Sequence, residues 1–207
     1  MGKYVEIHPE SPQPRLIGPI LDSVRNGGLI VYPTDTAYAF GCLAGEKAPL
    51  ERLIKIRQLS AKHLFTLVCR DFSQASEYVR IENQNFRLLK ACLPGPFTFI
   101  LPATRLTPKR LLATKRKTIG IRVPDHPIAQ ALTAGLDMPL LTSTVVLPGQ
   151  SEPELDPYLI SEAVGAQVDW VVDAGMGMNE LTTVVDLCGS APEVVRQGVG
   201  DIEAFLS

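Results

Sequence analysis

Apolar positions recur along this chain with two periods, one helical and one strand-like, and their interleaving predicts an α/β protein. Val5-Glu6-Ile7 alternates like a strand. Leu16, Ile17, Ile20, Leu21 and Val24 then fall at helical spacing before Gly27-Gly28, with Pro19 either delaying that helix or kinking it. Leu29 to Tyr32 is a short apolar, β-branched run, which reads as a buried strand stopped by Pro33. Pro49, at a first helical position, opens a second helix through Leu50, Leu53 and Ile54 toward Arg57. Further strands are expected at Phe65 to Cys69, Phe97 to Leu101, Thr118 to Val123, Leu140 to Ser143, Val168 to Val172, Thr182 to Leu187 and Val194 to Arg196. Helices are expected over residues 73 to 91 in one or two pieces, briefly from Pro108, from Pro127 to Thr133, and from Pro157 to Val164. Leu147 to Pro157, with three prolines and three acidic residues, reads as a surface loop or lid. Helices and strands intermingle without strict alternation, which predicts a single domain over residues 1–207 built on one twisted mixed sheet, not a pure Rossmann order.

Composition narrows the class. With 207 residues, 45% of them hydrophobic, and a net charge of -2, the chain describes an ordinary globular protein with one substantial core. No apolar run approaches the length of a bilayer span, and the N-terminus leads straight into a strand, so a cytoplasmic protein without a membrane partner is expected. Glu6 stands where a myristoylation signal needs Ser or Thr. Cys42, Cys69, Cys92 and Cys188 form no C-x-x-C pair, and His8, His63 and His126 have no ligand spacing, so the expectation is free thiols and no protein-held metal. Two glycine-rich stretches fail as phosphate loops: Ala48 follows Lys47 where a hydroxyl is needed, and Glu180 stands where a third glycine would follow Gly175 and Gly177.

Several stretches carry candidate chemistry. Beyond the strand at Leu29 to Tyr32, the loop crowds Thr34, Asp35, Thr36 and Tyr38 together, either as a ligand loop at a strand's carboxyl end or as a turn that merely caps the strand. Lys55-Ile56-Arg57 pairs a mobile point charge with a planar fork, a combination suited to polyphosphate. On a continuous helix residues two apart point to different sides, so both serve one ligand only if the helix ends between or just before them. Otherwise they simply favour a helix C-terminus through its dipole. Lys109-Arg110 and Lys115-Arg116-Lys117 place five cations within nine positions, either a solvated face or a contact for RNA phosphates without aromatics for stacking. Arg122, flanked by apolar Ile121 and Val123, needs an anion, either a structural carboxylate or a substrate's. Leu140 to Thr144 and Thr182 to Asp186 each set hydroxyls among apolar strand residues.

Taken in order, these pieces resemble the threonylcarbamoyl-AMP synthase family (YrdC-like domain). The motifs are Y-P-T-[DE]-T-x-Y-x-x-G at Tyr32 to Gly41, K-x-R at Lys55 and Arg57, G-P-x-T at Gly95 to Thr98, and R-x-P-x-H-P at Arg122 to Pro127. They continue with [ST]-T-V-V-D at Thr182 to Asp186 and R-x-G at Arg196 to Gly198. The run from Arg57 to His63 and the helical tract from Arg80 to Leu93 look closest to the YciO-type branch. The resemblance implies a twisted α/β fold with a concave, positively lined cavity. It also implies a nucleotidyltransferase that condenses L-threonine, bicarbonate and ATP, with Mg²⁺, into threonylcarbamoyl-AMP and pyrophosphate, for N6-threonylcarbamoyladenosine formation in tRNA. Carried over, Lys55 and Arg57 would be catalytic, and together with Ser143, Thr183 and Arg196 they would face ATP. Thr36, His63, Arg122 and Thr142 would hold threonine or its carbamate. Where the family shows S-x-N, this chain has Ser143-Thr144-Val145, an apolar residue at the amide position, which predicts a weak synthase. The alternatives are a protein that binds tRNA or double-stranded RNA, or a paralogue that binds or hydrolyses the adenylate.

Overall fold

The computed structural model describes residues 2–60, 63–112 and 116–201. Ten strands among them hydrogen-bond into one sheet: β1 (Lys3–Glu6), β2 (Ile30–Tyr32), β3 (Ala39–Leu43), β4 (Thr66–Val68), β5 (Phe97–Pro102), β6 (Thr118–Arg122), β7 (Leu140–Thr144), β8 (Trp170–Asp173), β9 (Thr183–Asp186) and β10 (Glu193–Arg196). Their order across the sheet is β1-β8-β2-β3-β7-β4-β6-β5-β9-β10. The β1–β8, β8–β2, β4–β6 and β5–β9 pairs are parallel and the remaining pairs antiparallel, so the sheet is mixed, as the irregular interleaving of elements predicts.

Six helices among the described residues complete the architecture: α1 (Pro14–Arg25), α2 (Lys47–Arg57), α3 (Phe72–Tyr78), α4 (Asn83–Cys92), α5 (Pro127–Ala134) and α6 (Pro157–Val164), with a 3₁₀ turn at Lys109–Leu111. Pro14 takes the first turn of α1 and Pro19 lies inside it, so the helix does not wait for Pro19 to begin. The expected tract over 73 to 91 is two helices, separated where Val79 bridges Ala103.

Strand β3 is not legible in the residue pattern. Ala39 to Leu43 mixes small and large residues and is buried on both faces, so it lacks the alternation that marks a half-exposed strand. It forms an antiparallel hairpin with β2, which turns residues 33–38 into a hairpin loop. Gly41 is required there, since a Cβ at that position would lie 2.7 Å from the Tyr32 ring.

Each face of the sheet has its own core, because side chains alternate along every strand. One face packs Val31, Phe40, Leu67, Phe99, Ile121 and Leu141 against α2, α3, α4 and α6. The other packs Ile30, Tyr32, Val68, Leu140 and Val172 against α1 and α5. Gly135, just beyond α5, lets the two helices of that second face close up, since a Cβ there would meet Leu21 at 2.3 Å. Helices α1 and α5 cover only the β2–β7 side of this face, and the rest of it, toward β5 and β9, is left for a cavity.

The hairpin loop is tied across the sheet through Tyr38. Its hydroxyl donates to the Gly175 carbonyl at 2.7 Å and accepts from the Ala174 amide at 3.0 Å, while burial pushes its pKa up to about 12 and keeps it a donor. Tyr38→Phe leaves both backbone groups without that partner and is expected to cost about 1–3 kcal/mol. Urea unfolding checks it: the midpoint falls at an unchanged slope, whereas an unchanged midpoint contradicts the tie.

Candidate functional site

A cavity of about 420 Å³ opens on the uncovered part of the second face, within the size range of small-molecule sites. Strand register builds its floor. Thr142 on β7 lies opposite Thr66 on β4, Thr66 opposite Gly120 on β6, and Gly120 opposite Ile100 on β5, so all four share one face of the sheet. Thr98 and Val184 extend that row, since Thr98 pairs with Val184 across β5 and β9. Thr98 and Thr182 join their hydroxyls at 2.9 Å.

Three guanidinium groups line the same space. Arg122 ends β6 and is buried, with 7% of its surface exposed. Its Nη2 donates to Asp35, to Thr36 Oγ1 at 2.8 Å and to Thr34 Oγ1 at 3.2 Å. A second Asp35 oxygen accepts from the Asp125 amide at 3.1 Å. Arg57, the last residue of α2, reaches round the end of β7 to donate from Nη1 to the Val146 carbonyl at 2.9 Å. Burial lowers its pKa. Arg196 on β10 donates from Nε and Nη2 to the Thr182 carbonyl at 3.2 and 2.9 Å, and its pKa is lowered by burial and then by Arg122. Among the described residues, the Nε–H groups of Arg57 and Arg122 are buried without a hydrogen-bond partner. An unpaired buried donor on a charged group is costly, and an anion that reaches it removes that cost. His63 stands beside them, edge-on to Phe65 with ring centroids 4.9 Å apart. Its pKa is lowered by burial and then by Arg57, so it is neutral at pH 7.

Not every residue expected here belongs to the cavity. Arg57, His63, Arg122, Thr142 and Arg196 line it. Thr36 touches Arg122 but opens to a neighbouring pocket of about 270 Å³ with His126, Met176 and Met178. Lys55 is a correction. Helix α2 continues through Arg57, so positions 55 and 57 point apart, and Lys55 is exposed along an outer groove with Arg52 and Asp169. Thr183 is a second correction. It is fully buried, and its hydroxyl donates to the Gly200 carbonyl at 2.6 Å and accepts from the Gly198 amide at 2.9 Å. Thr182, its neighbour on the other face, lines the cavity instead. Strand alternation sets Ser143 on the same face as Leu141, away from Thr142, so its place at the cavity wall is along the β7 backbone.

Val145 is a third correction. Its side chain is fully buried in the first core with Leu147, Ile160 and Val164, and Val146 lines the cavity. The Val145 amide donates to the Tyr38 carbonyl at 2.9 Å and its carbonyl accepts from the Glu154 amide at 3.0 Å. Thr66, which belongs to no motif, also lines the cavity, as do Thr98 and Thr182, two motif positions to which no role was carried over. Period-two alternation from Arg122 and Thr142 across the sheet is the signal that locates them. Of the basic run, Arg116 pairs with Asp186 at 3.2 Å, and Lys115 lies outside the described residues.

Comparison with known proteins identifies the fold's lineage. The Sua5/YciO/YrdC family model, described as telomere recombination, matches residues 22–198. The chain belongs to this family. It is 48% identical to the uncharacterized protein YciO of Escherichia coli K12 over 206 residues, covering 100% of both chains. The crystal structure of E. coli YciO superposes with a TM-score of 0.95 over 100% of each chain. A threonylcarbamoyl-AMP synthase of Vibrio vulnificus is 27% identical over 161 residues, 76% of this chain and 86% of that one. The P. abyssi Sua5 structure with L-threonine shares the fold at TM-score 0.90 and 22% identity, covering 98% of this chain and 59% of that one. Within the Sua5/YciO/YrdC fold, then, this chain presents three arginines around a hydroxyl-lined cavity and turns the lysine of its K-x-R outward.

Two outcomes follow from the geometry. Val145→Asn places an amide in an apolar core and is expected to destabilise the protein by about 1–3 kcal/mol. Thermal or urea unfolding checks this, and an unchanged midpoint would mean that position 145 reaches solvent or the cavity. For His63, the folded pKa lies below the ordinary 6.5, so the neutral form's contribution to stability is whole above pH 6.5. It is lost as pH falls through the depressed folded value. Its NMR titration midpoint is expected below 6.5, and Arg57→Gln should raise it only part of the way back, because burial is the larger cause. A midpoint at or above 6.5 contradicts the buried, cation-flanked placement.

Proposed function

We propose that this chain is an L-threonylcarbamoyladenylate synthase-like enzyme, joining L-threonine, bicarbonate and ATP into threonylcarbamoyl-AMP for N6-threonylcarbamoyladenosine formation in tRNA. The observation that carries the reading is the convergence of Arg57, Arg122 and Arg196 on one cavity in which two guanidinium Nε–H groups are buried without partners. Such a site is arranged for an anion, and this reaction brings two together. The threonylcarbamoyl-AMP synthase of V. vulnificus and the L-threonine bound to P. abyssi Sua5 support the same direction.

The residues divide the work by geometry. Arg122, fixed through one nitrogen by Asp35, Thr34 and Thr36, offers its Nε edge to the threonine carboxylate, with the Thr142 and Thr144 positions of β7 alongside. Arg57 and Arg196 take the phosphates of ATP. A carbamate oxygen then attacks the α-phosphorus; the new P–O bond forms as the bond to the β-phosphate oxygen breaks, and that electron pair leaves with pyrophosphate. No protein nucleophile is needed. Positioning of the two anions and screening of their repulsion supply the acceleration. Neutral His63 stands at the wall as a hydrogen-bonding group that adds no repelling or competing charge. Guanidinium and hydroxyl groups do not fit a protein-held Mg²⁺, and Asp35 is already bonded to Arg122 and the Asp125 amide. Mg²⁺ enters with ATP, as part of the substrate.

Incubation with L-threonine, bicarbonate, Mg²⁺ and ATP is expected to yield threonylcarbamoyl-AMP and pyrophosphate by mass spectrometry. Arg122→Gln should weaken threonine binding and Arg57→Gln should weaken ATP binding. Each loss of a charged hydrogen bond is worth about 1.5–3 kcal/mol, or roughly 10- to 150-fold. Absence of product together with absence of threonine binding would overturn the reading, and equal loss of the same ligand in both variants would overturn the division of labour.

A further inference from the structure

A second basic site lies outside the cavity. Where β5 runs on past Pro102 and β6 begins, a groove of about 650 Å³ is lined by Arg80, Arg105, Lys109 and Lys117, with Ala103 and Leu112 as its apolar wall. No carboxylate among the described residues lines it. All four cations are exposed, and none takes part in an ion pair among the described residues, whereas Arg25, Lys47, Arg52, Arg70, Arg116 and Arg122 each do. Four uncompensated like charges around one concavity repel one another, a cost that a multivalent anion removes.

The groove is built, not a chance gathering of long side chains. The Arg80 amide donates to the Pro102 carbonyl at 2.8 Å, and the Thr104 amide to the Tyr78 carbonyl at 2.9 Å. The hydroxyls of Thr104 and Thr107 donate to the Glu77 and Tyr78 carbonyls, both at 2.6 Å. Lys117 holds a left-handed backbone at φ 52°, which a non-glycine residue seldom adopts, and its carbonyl accepts from the Ala103 amide at 3.0 Å. The segments that carry the four cations are thus pinned to the ends of α3, β5 and β6.

The lining selects among anions. Among the described residues, no aromatic side chain lines it to stack a base. The threonine hydroxyls that line the groove are already donating to backbone carbonyls, so recognition falls to charge. A single concavity lined by eight residues, with its cations gathered round it, suits a short run of linked phosphates rather than a long strand track. We infer that this groove is a binding site for the polyphosphate chain of a small molecule, separate from the cavity and independent of the reaction assigned there. The two sites adjoin the same strands: Ile100 and Gly120 belong to the cavity, and Ala103 and Lys117 lie three residues farther along the chain, just past the ends of β5 and β6, roughly 10 Å away.

Inorganic tripolyphosphate is the probe, followed residue by residue in amide NMR spectra at physiological ionic strength. The amides of Thr104, Arg105, Lys109 and Lys117 are expected to shift saturably. The doubly reversed variant Arg105→Glu/Lys109→Glu should weaken that response at least tenfold while leaving shifts at Thr142 and Thr144 intact. The charge-preserving Arg105→Lys/Lys109→Arg variant should retain binding. Groove amides that stay still in the parent protein, or that respond equally in the reversed variant, would overturn the site. A duplex RNA that shifts the groove amides and is not displaced by tripolyphosphate would overturn the small-ligand assignment.

Discussion

A guanidinium buried in the middle of a sheet is the constraint on which the rest of this molecule depends. Arg122 stands at the end of β6 between apolar neighbours, and burying such a charge unpaired would cost several kcal/mol. The hairpin between β2 and β3 answers this by folding its loop over the charge. Thr34 Oγ1 holds the loop closed on the Ala37 carbonyl at 2.7 Å, which sets Asp35 and Thr36 against Arg122 Nη2. Three acceptors meet one nitrogen. The carboxylate pins the cation through that nitrogen, and Nε is buried with no hydrogen-bond partner among the described residues.

Arg122 lines a cavity only because the helices are unevenly shared between the two faces. Helices α2, α3, α4 and α6 pack on one face, whereas α1 and α5 cover just part of the other. The uncovered strands expose threonines and a glycine beside Ile100 and Val184. Thr66, Thr98, Thr142 and Gly120 keep the floor low and polar, so a ligand can approach the sheet itself. Arginines from three separate elements, α2, β6 and β10, then arrive at its rim, and burial of Arg57 and Arg196, with the repulsion of Arg122 on Arg196, makes the space favourable for negative charge.

Much of this is legible in the residues, and the failures have physical causes. Mixed-sheet architecture follows from the irregular order of apolar runs, and Arg122 announces its need for an anion by sitting between Ile121 and Val123. Strand β3 escapes because burial on both faces erases alternation. Lys55 and Arg57 part company because α2 ends one residue too late for both to face one ligand, a fork that helical geometry states but cannot decide from sequence. Thr183 and Thr182 exchange roles because motif spacing carries no information about which strand face points to the cavity, whereas one known neighbour in the register decides it. Val145 reads as a missing amide in a motif, yet its side chain belongs to a core that joins β7 to α6, which only the packed structure reveals.

Two buried Nε–H groups stand without a hydrogen-bond partner among the described residues, and arginine side-chain NMR observes them directly. The Nε–H resonances of Arg57 and Arg122 should be resolved in the free protein. On saturation with L-threonine, bicarbonate and a non-hydrolysable ATP analogue they should move downfield and exchange more slowly with water, while the Arg25 resonance, an exposed surface pair, stays in place. Unmoved Arg57 and Arg122 signals under saturating ligand would mean that these donors do not meet a substrate anion, and the cavity would lose its assigned role.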